Sequence, residues 1–294
     1  MARVAFFGTP ELAVPPLRAL VAAGHEVVLV VSRGDRRRGR GSATSPSPVK
    51  AAATELGLDV TDRLDEVAGS GAELGVVVAY GRIIPAALLE AVPMINLHFS
   101  LLPRWRGAAP VERAILAGDA QTGVCVMALE EGLDTGPVYD RRAVPIDDTE
   151  SVDQLLDSLV ALGSSMLVEL LAGGVAGLPV PTPQVGPATY AKKIDPDELR
   201  LDWQRSAAEL HRVVRLGRAF TEVRGRRLRI RRAEVVGPST LGSSPPVPGT
   251  LVGDVVATGM GGLRLLEVQP ESGRLMGTIE WLRGAHLSDG EVLG

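Results

Sequence analysis

Two short apolar runs, RVAFFG at residues 3–8 and EVVLVVS at residues 26–32, enclose a stretch whose Leu12, Leu17 and Leu20 share one helical face. Strand, helix and strand in that order open an α/β sheet, and this excludes all-helical and all-β architectures for the first half of the chain. Thr9 is expected to cap the helix, with Pro10 at the first helical position, where a missing N–H costs nothing. The loop FGTPELA lacks the second and third glycines that admit a pyrophosphate, and no G-x-x-x-x-G-K run occurs, so this Rossmann-like opening carries no nucleotide-cofactor site.

The same alternation continues. Residues 49–57 read as a helix, residues 75–85 (GVVVAYGRIIP) as a buried strand running into a loop, and residues 85–92 as a short helix. Tyr80 and Gly81 fall where strand ends meet in an open parallel sheet, the place where such sheets bind ligands. Residues 94–99 return as a strand, residues 110–117 as a helix, TGVCVMALE and PVYDRRAVPI as strands, and residues 151–173 as a long helix closed by Gly173.

Chemistry concentrates in MINLHFSLLPRWRGAAP, residues 94–110, and EEGLDTGPV, residues 130–138. Side chains alternate along a strand, so Ile95, Leu97 and Phe99 face one way and Asn96, His98 and Ser100 the other. An amide donor and an imidazole two residues apart can address one small group from the same side, as an oxyanion site requires. Asp134 lies in a loop between Gly132 and Gly136, which allow a tight turn that presents its carboxylate. Beside His98 such a carboxylate can take or relay a proton. The alternative is an ordinary amphipathic strand with two polar residues facing water.

A length of 294 residues suits about two domains. With 22% charged and 45% hydrophobic residues the chain is an ordinary folded protein, and a net charge of -4 leaves contact with an acidic partner to local basic patches. There are two. One is the loop at residues 33–48, with Arg33, Arg36, Arg37, Arg38 and Arg40 among glycines. The other runs from residue 212 to 232, where Arg212, Arg215, Arg218, Arg224, Arg226, Arg227, Arg229, Arg231 and Arg232 stand against Glu222 alone. Either is equally a solvated charged surface. After a Pro-rich stretch at residues 178–202, RLRIRRAEVV, GTLVGDVVAT and LRLLEVQP read as strands of a small barrel. Cys125, the one cysteine, sits in an apolar run and is expected to be buried and inert. The histidines at 25, 98, 211 and 286 have no metal-ligand spacing. The opening apolar run breaks at Gly8 before a signal-peptide core could form, and the expected location is the cytoplasm.

Asn96, His98, the SLLP run at residues 100–103, the following RGAAP and the later GLDTG together resemble the signature of the 10-formyltetrahydrofolate-dependent formyltransferases. SLLPRWRGAAP in full is most similar to the members that act on initiator methionyl-tRNA. The resemblance implies a Rossmann-like, mostly parallel catalytic domain at residues 1–177, a linker at 178–202, and a smaller OB-like β-barrel at 203–294 that binds tRNA. It implies 10-formyltetrahydrofolate as formyl donor, initiator methionyl-tRNA as acceptor, no metal, no membrane and a monomer. Asn96, His98 and Asp134 are then catalytic, and Tyr80, Gly81, Ser100, Leu101, Leu102 and Pro103 hold the folate. Arg36, Arg37, Arg38 and Arg40 reach toward the tRNA acceptor stem. The chain departs from the family at Arg33-Gly34-Asp35, where Gln-Pro-Asp is usual, at Phe99, where a small residue is usual, and at GRAF, which replaces a PWP segment. Two rival readings are a formyltransferase for a small amine, such as a purine-pathway nucleotide or an amino sugar, and a folate- or RNA-binding module without catalysis.

Overall fold

A computed structural model of the chain describes residues 1–37, 44–242 and 246–294. They form two compact units, the first made of residues 1–111, 121–145 and 155–192 and the second of residues 112–120, 146–154 and 193–294.

The chain enters the first unit through β1 (Arg3–Gly8), α1 (Val14–Ala22) and β2 (Glu26–Val31), continues with β3 (Arg36–Arg37), β4 (Thr44–Ser45), α2 (Pro48–Glu55) and β5 (Val60–Thr61), and reaches β6 (Leu74–Val78), α3 (Ala86–Ala91) and β7 (Met94–His98). There follow β8 (Arg106–Gly107), α4 (Pro110–Ala117), most of which belongs to the second unit, β9 (Gln121–Ala128), β10 (Val138–Pro145), α5 (Val152–Leu170), whose first residues belong to the second unit, and β11 (Tyr190–Ala191). Seven strands form one sheet in the order β10-β9-β7-β6-β1-β2-β5. Pairing is parallel from β7 to β5 and antiparallel at β7·β9 and β9·β10. The central strands β1 and β6 are buried along nearly their whole length, because helices cover both faces of a parallel sheet; this is why they read as unbroken apolar runs.

The expected cap at Thr9 is not there. Pro10 is extended (φ -78, ψ 172), a 3-10 turn occupies Glu11–Ala13, and α1 begins only at Val14, with Pro15 and Pro16 in its first turn. Proline has no N–H to lose at a helix start, so the Pro15-Pro16 pair sets the boundary in place of Thr9. The Thr9 hydroxyl instead donates to the carbonyl of Tyr80 at 3.3 Å, tying the ends of β1 and β6 together. Ser47 caps α2 by accepting from the Lys50 amide at 3.1 Å.

The second unit contains α6 (Ala207–Arg215), β12 (Phe220–Val223), β13 (Arg226–Val236), β14 (Leu251–Val252), β15 (Val255–Ala257), β16 (Gly262–Pro270), β17 (Met276–Gly277) and α7 (Thr278–Ala285). Its antiparallel sheet runs β12-β13-β16-β15-β14, with β17 added to β16. The last residues join the two ends of that order: Leu251 N donates to Glu291 O at 2.8 Å, Leu293 N to Gly249 O at 2.9 Å, and Gly294 N to Glu222 O at 3.0 Å. The barrel expectation thereby holds. Trp203, Leu210, Leu228, Ile230, Leu263, Leu265 and Trp281 fill its core. Along β13 Leu228 and Ile230 point inward while Arg227, Arg229 and Arg231 point outward, and an irregular register at Ile230 to Ala233 leaves Arg231 and Arg232 both exposed.

One arginine of the basic stretch belongs to the interior. Arg215 is buried, donating from Nε to Glu150 O at 2.7 Å and from Nη2 to Asp147 O at 2.6 Å, and burial pushes its guanidinium below the usual arginine range. Arg215→Ala is therefore expected to cost about 3 kcal/mol, since it leaves two carbonyls without their charged donor, and a urea midpoint reads the loss. A variant of unchanged stability with weakened nucleic-acid binding would place Arg215 at a surface instead. No described helix is long and apolar enough to cross a membrane.

Candidate active site

The carboxyl end of β7 brings the candidate residues together. Asn96 pairs in register with Val77 of β6 and Met127 of β9, and His98 with Cys125, so both stand where the sheet changes from parallel to antiparallel. On the polar face of β7 Asn96 is half-buried and His98 is 5% exposed, so the histidine does not face bulk water. A polar side chain buried here needs partners, and His98 has them. Its Nε2 lies 2.9 Å from the carbonyl oxygen of Trp105. A carbonyl only accepts, so Nε2 carries the proton, and Nδ1 is the ring atom left to face the open site.

On that side lies Asp134. Its Oδ2 is 3.6 Å from His98 Nδ1 and accepts the Gly107 amide at 2.7 Å. Asp134 itself has φ 50, a left-handed conformation that aspartate tolerates because its short side chain can bond locally. Gly107 (φ 120) has to be glycine, because a Cβ there would stand 2.9 Å from the Ala191 carbonyl oxygen.

Around these groups is a cleft of about 500 Å³, a usual size for a ligand pocket. Asn96, His98 and Asp134 share its lining with Tyr80, Gly81 and Phe99. The apolar part of the wall comes from residues such as Val77, Ile84, Leu89 and Leu129. The chain turns sharply after β6, at Ala79 (φ 47) and Gly81 (φ 71), where the Tyr80 carbonyl accepts from Thr9 Oγ1 and the Gly81 carbonyl from Arg33 Nη2. Tyr80 packs edge-on against Phe7, with ring centroids 5.5 Å apart, and burial pushes its phenol above the usual tyrosine range, keeping it neutral. Phe99 is buried and lines the cleft together with Asn96 and His98.

The SLLP run is placed differently from the other candidates. Ser100, Leu101, Leu102 and Pro103 are not among the residues lining the cleft. Ser100 Oγ donates to Arg104 O at 2.6 Å, and Leu102, fully buried, packs with Cys125, Met127 and Val138. Buried in this way, Cys125 has its thiol pushed above the usual range and stays protonated. Of the arginine loop, Arg36 and Arg37 form β3, whose backbone pairs with β4, and Arg38 and Arg40 lie outside the described residues. Arg33 leads into that hairpin and donates from Nη2 to the Gly81 carbonyl at 3.0 Å, so the base of the loop touches the cleft wall.

Sequence reasoning did not find Trp105, whose carbonyl sets the His98 tautomer, nor the Gly107 amide. It also passed over Gln184 and Thr189, which sit in the stretch expected to be a linker. Gln184 Nε2 donates to the carbonyls of Asp134 and Gly136, at 2.8 Å each, and its Oε1 accepts from Arg106. No local pattern signals contacts made across 48 and more residues.

An amide, an imidazole with one nitrogen committed, and a carboxylate around one cleft can stabilise a developing oxyanion and move a proton. The family model described as "Formyl transferase" matches residues 2–171, and that described as "Formyl transferase, C-terminal domain" matches residues 193–286. The chain is 44% identical over 299 residues to the methionyl-tRNA formyltransferase of Dinoroseobacter shibae, covering 97% of this chain and 98% of that one. It is 45% identical over 315 residues to that of a Methylobacterium species, covering 99% of each. Among solved structures, the N-formyltransferase of Helicobacter canadensis, in complex with folinic acid and dTDP-3-aminofucose, aligns with a TM-score of 0.69 at 15% identity over 90% of this chain and 99% of that one. The methionyl-tRNA formyltransferase of Clostridium thermocellum aligns with a TM-score of 0.57 at 18% identity over 80% of this chain and 93% of that one, and both likenesses are of fold. With both of its halves matched and relatives this similar along nearly its whole length, the chain belongs to the formyl transferase family.

Proposed function

We propose that the protein transfers the formyl group of 10-formyltetrahydrofolate to the α-amino group of methionine on initiator methionyl-tRNA, supplying formylmethionyl-tRNA for translation initiation. The observation that carries this reading is the convergence of Asn96, His98 and Asp134 on one cleft, in a chain whose similar relatives are methionyl-tRNA formyltransferases. The cleft suits a folate, because a flat heterocycle finds apolar lining in Val77, Ile84, Leu89 and Leu129.

In this reading the neutral amine of methionine attacks the formyl carbon, negative charge grows on the formyl oxygen, and the bond from that carbon to N10 of the folate breaks. The Asn96 amide donates to the growing charge. His98 acts through Nδ1, because Nε2 is committed to Trp105 O. Asp134, held by the Gly107 amide, orients the ring and takes up the proton that leaves the amine, directly or through water, for delivery to N10. Tyr80 and Gly81 hold the folate at the strand ends, and Ser100, Leu101, Leu102 and Pro103 serve it by fixing the turn that carries Trp105. We assign residues 1–177 to catalysis and 203–294 to tRNA binding, in a monomeric cytoplasmic enzyme; residues 178–202 join the two, those up to 192 belonging to the first unit.

The test is direct: purified protein, labelled 10-formyltetrahydrofolate and methionyl-tRNA should yield labelled formylmethionine after the ester is hydrolysed. Label passing to an amino sugar nucleotide and not to methionyl-tRNA would replace this reading with that of the small-amine enzyme. Arg36, Arg37, Arg38 and Arg40 are assigned to tRNA phosphates. Affinity for tRNA is then expected to fall linearly on a log-log salt plot, with about 0.7 to 0.9 of slope per phosphate neutralised. Replacing Arg36, Arg37 and Arg38 together by alanine should flatten the plot and raise the KM for methionyl-tRNA, with folate binding unchanged. An unaltered slope in filter binding would leave the loop as solvated surface.

A further inference from the structure

We infer that the stretch from residue 182 to 191 forms a working part of the active site rather than a passive connection, with Gln184 and Thr189 as positioning residues for Asp134 and His98. The inference rests on the formyl-transfer reading above. His98 has two partners supplied by two different pieces of chain. The turn at residues 104–107 brings the Trp105 carbonyl to Nε2, and the loop at residues 130–136 brings Asp134 to Nδ1. Trp105 (φ 62) and Asp134 (φ 50) both hold left-handed backbone conformations, which an aspartate tolerates but a bulky tryptophan adopts only where its surroundings hold it.

The surroundings that hold them come from this stretch. Gln184 uses its whole amide: both Nε2 hydrogens go to the Asp134 and Gly136 carbonyls at 2.8 Å, while Oε1 accepts from Arg106 Nε at 3.1 Å and Nη2 at 2.7 Å. One side chain thus joins the Asp134 loop to the turn that carries Trp105. Thr189 Oγ1 accepts the Trp105 amide at 2.9 Å, and its backbone bonds Pro103 O at 3.2 Å and Arg106 N at 2.9 Å, so it grips Trp105 from both sides. The stretch is itself anchored at each end. Thr182 exchanges two backbone bonds with Val138, at 2.7 and 2.9 Å, and β11 pairs in parallel with β8.

Neither side chain lines the cleft, so each acts through the groups it holds. A displacement of either His98 partner by about 1 Å is enough to cost on the order of a hundredfold in turnover.

The test uses the full-length protein. Gln184→Glu keeps the acceptors for Arg106, loses both donated bonds, and sets a carboxylate against two carbonyls. Its kcat is expected to fall by about ten- to a hundredfold with the KM for 10-formyltetrahydrofolate within about twofold of wild type. Combined with Asp134→Asn, it should cost nothing beyond Asp134→Asn alone, since both act on one group. A kcat within about twofold of wild type, or losses that multiply in the double variant, would overturn the assignment of Gln184. Thr189→Val should lower kcat, and Thr189→Ser should restore it. A second readout needs no substrate: imidazole nitrogen shifts of His98 should report a proton on Nε2 in the wild type and a mixture of tautomers in Thr189→Val. If wild-type protein formylates no methionyl-tRNA, the functional reading fails. The nitrogen shifts then decide the positioning claim alone, and spectra unchanged in both Gln184→Glu and Thr189→Val would sink it.

Discussion

Asp134→Asn is expected to keep folate binding and lower kcat by a hundredfold to about ten-thousandfold, the range that a positioned acid-base group supplies. The amide is nearly isosteric with the carboxylate, and its oxygen can still accept from Gly107 N, now 2.7 Å from Asp134 Oδ2. Shape and loop should therefore survive. What is lost is a charge next to His98 Nδ1 and a site that can take the amine's proton. Single-turnover kinetics separates the steps: a defect confined to chemistry supports the role, and one confined to folate affinity would move Asp134 from catalysis to binding.

The second large effect is expected at β7, where Asn96→Ala should lower kcat by about a hundredfold to a thousandfold, as the loss of an oxyanion donor does, and His98→Ala by about a hundredfold or more, as the loss of a group that handles protons does. Asn96 is partly exposed to the cleft, so its truncation leaves water to fill the place and should hardly change stability. His98 is 5% exposed, and its removal also frees the Trp105 carbonyl, so a modest fall in melting temperature should accompany the loss of turnover. Near-normal turnover in a folded Asn96→Ala protein would show that the oxyanion is held by other groups.

Much of this was legible in the residues, for reasons that also explain what was not. Strands β1, β6 and β9 are continuous apolar runs because both faces are covered, and α4 and α5 show their helical period plainly. The convergence of Asn96 and His98 followed from strand alternation alone. By contrast β5, β8 and β11 are two residues long, too short to have a period, and β3 is made of arginines, which carry no strand signal. The start of α1 was misplaced because two proline signals competed, and the later pair prevailed. Arg215 looked like surface charge because its partners are backbone carbonyls, which have no letter in a sequence. The Gln184 clamp was hidden for a similar cause: all four of its bonds depend on a fold that brings residues 106, 134 and 136 beside it.

The closure of the second unit by its last residues has a consequence for how that unit forms. Gly294 N bonds Glu222 O, and residues 291–293 bond Gly249 and Leu251, so the strip that seals the sheet follows in sequence every strand that it joins. Pairings distant in sequence are slow to form, because the loop between them must be ordered before they contribute anything. Until the strip docks, β14 and the part of β12 beyond Phe220, which Leu201 N already bonds, keep edge N–H and C=O groups open to pairing with another chain. The second unit is thus most exposed to misassembly while its strands are paired and this strip has not yet docked.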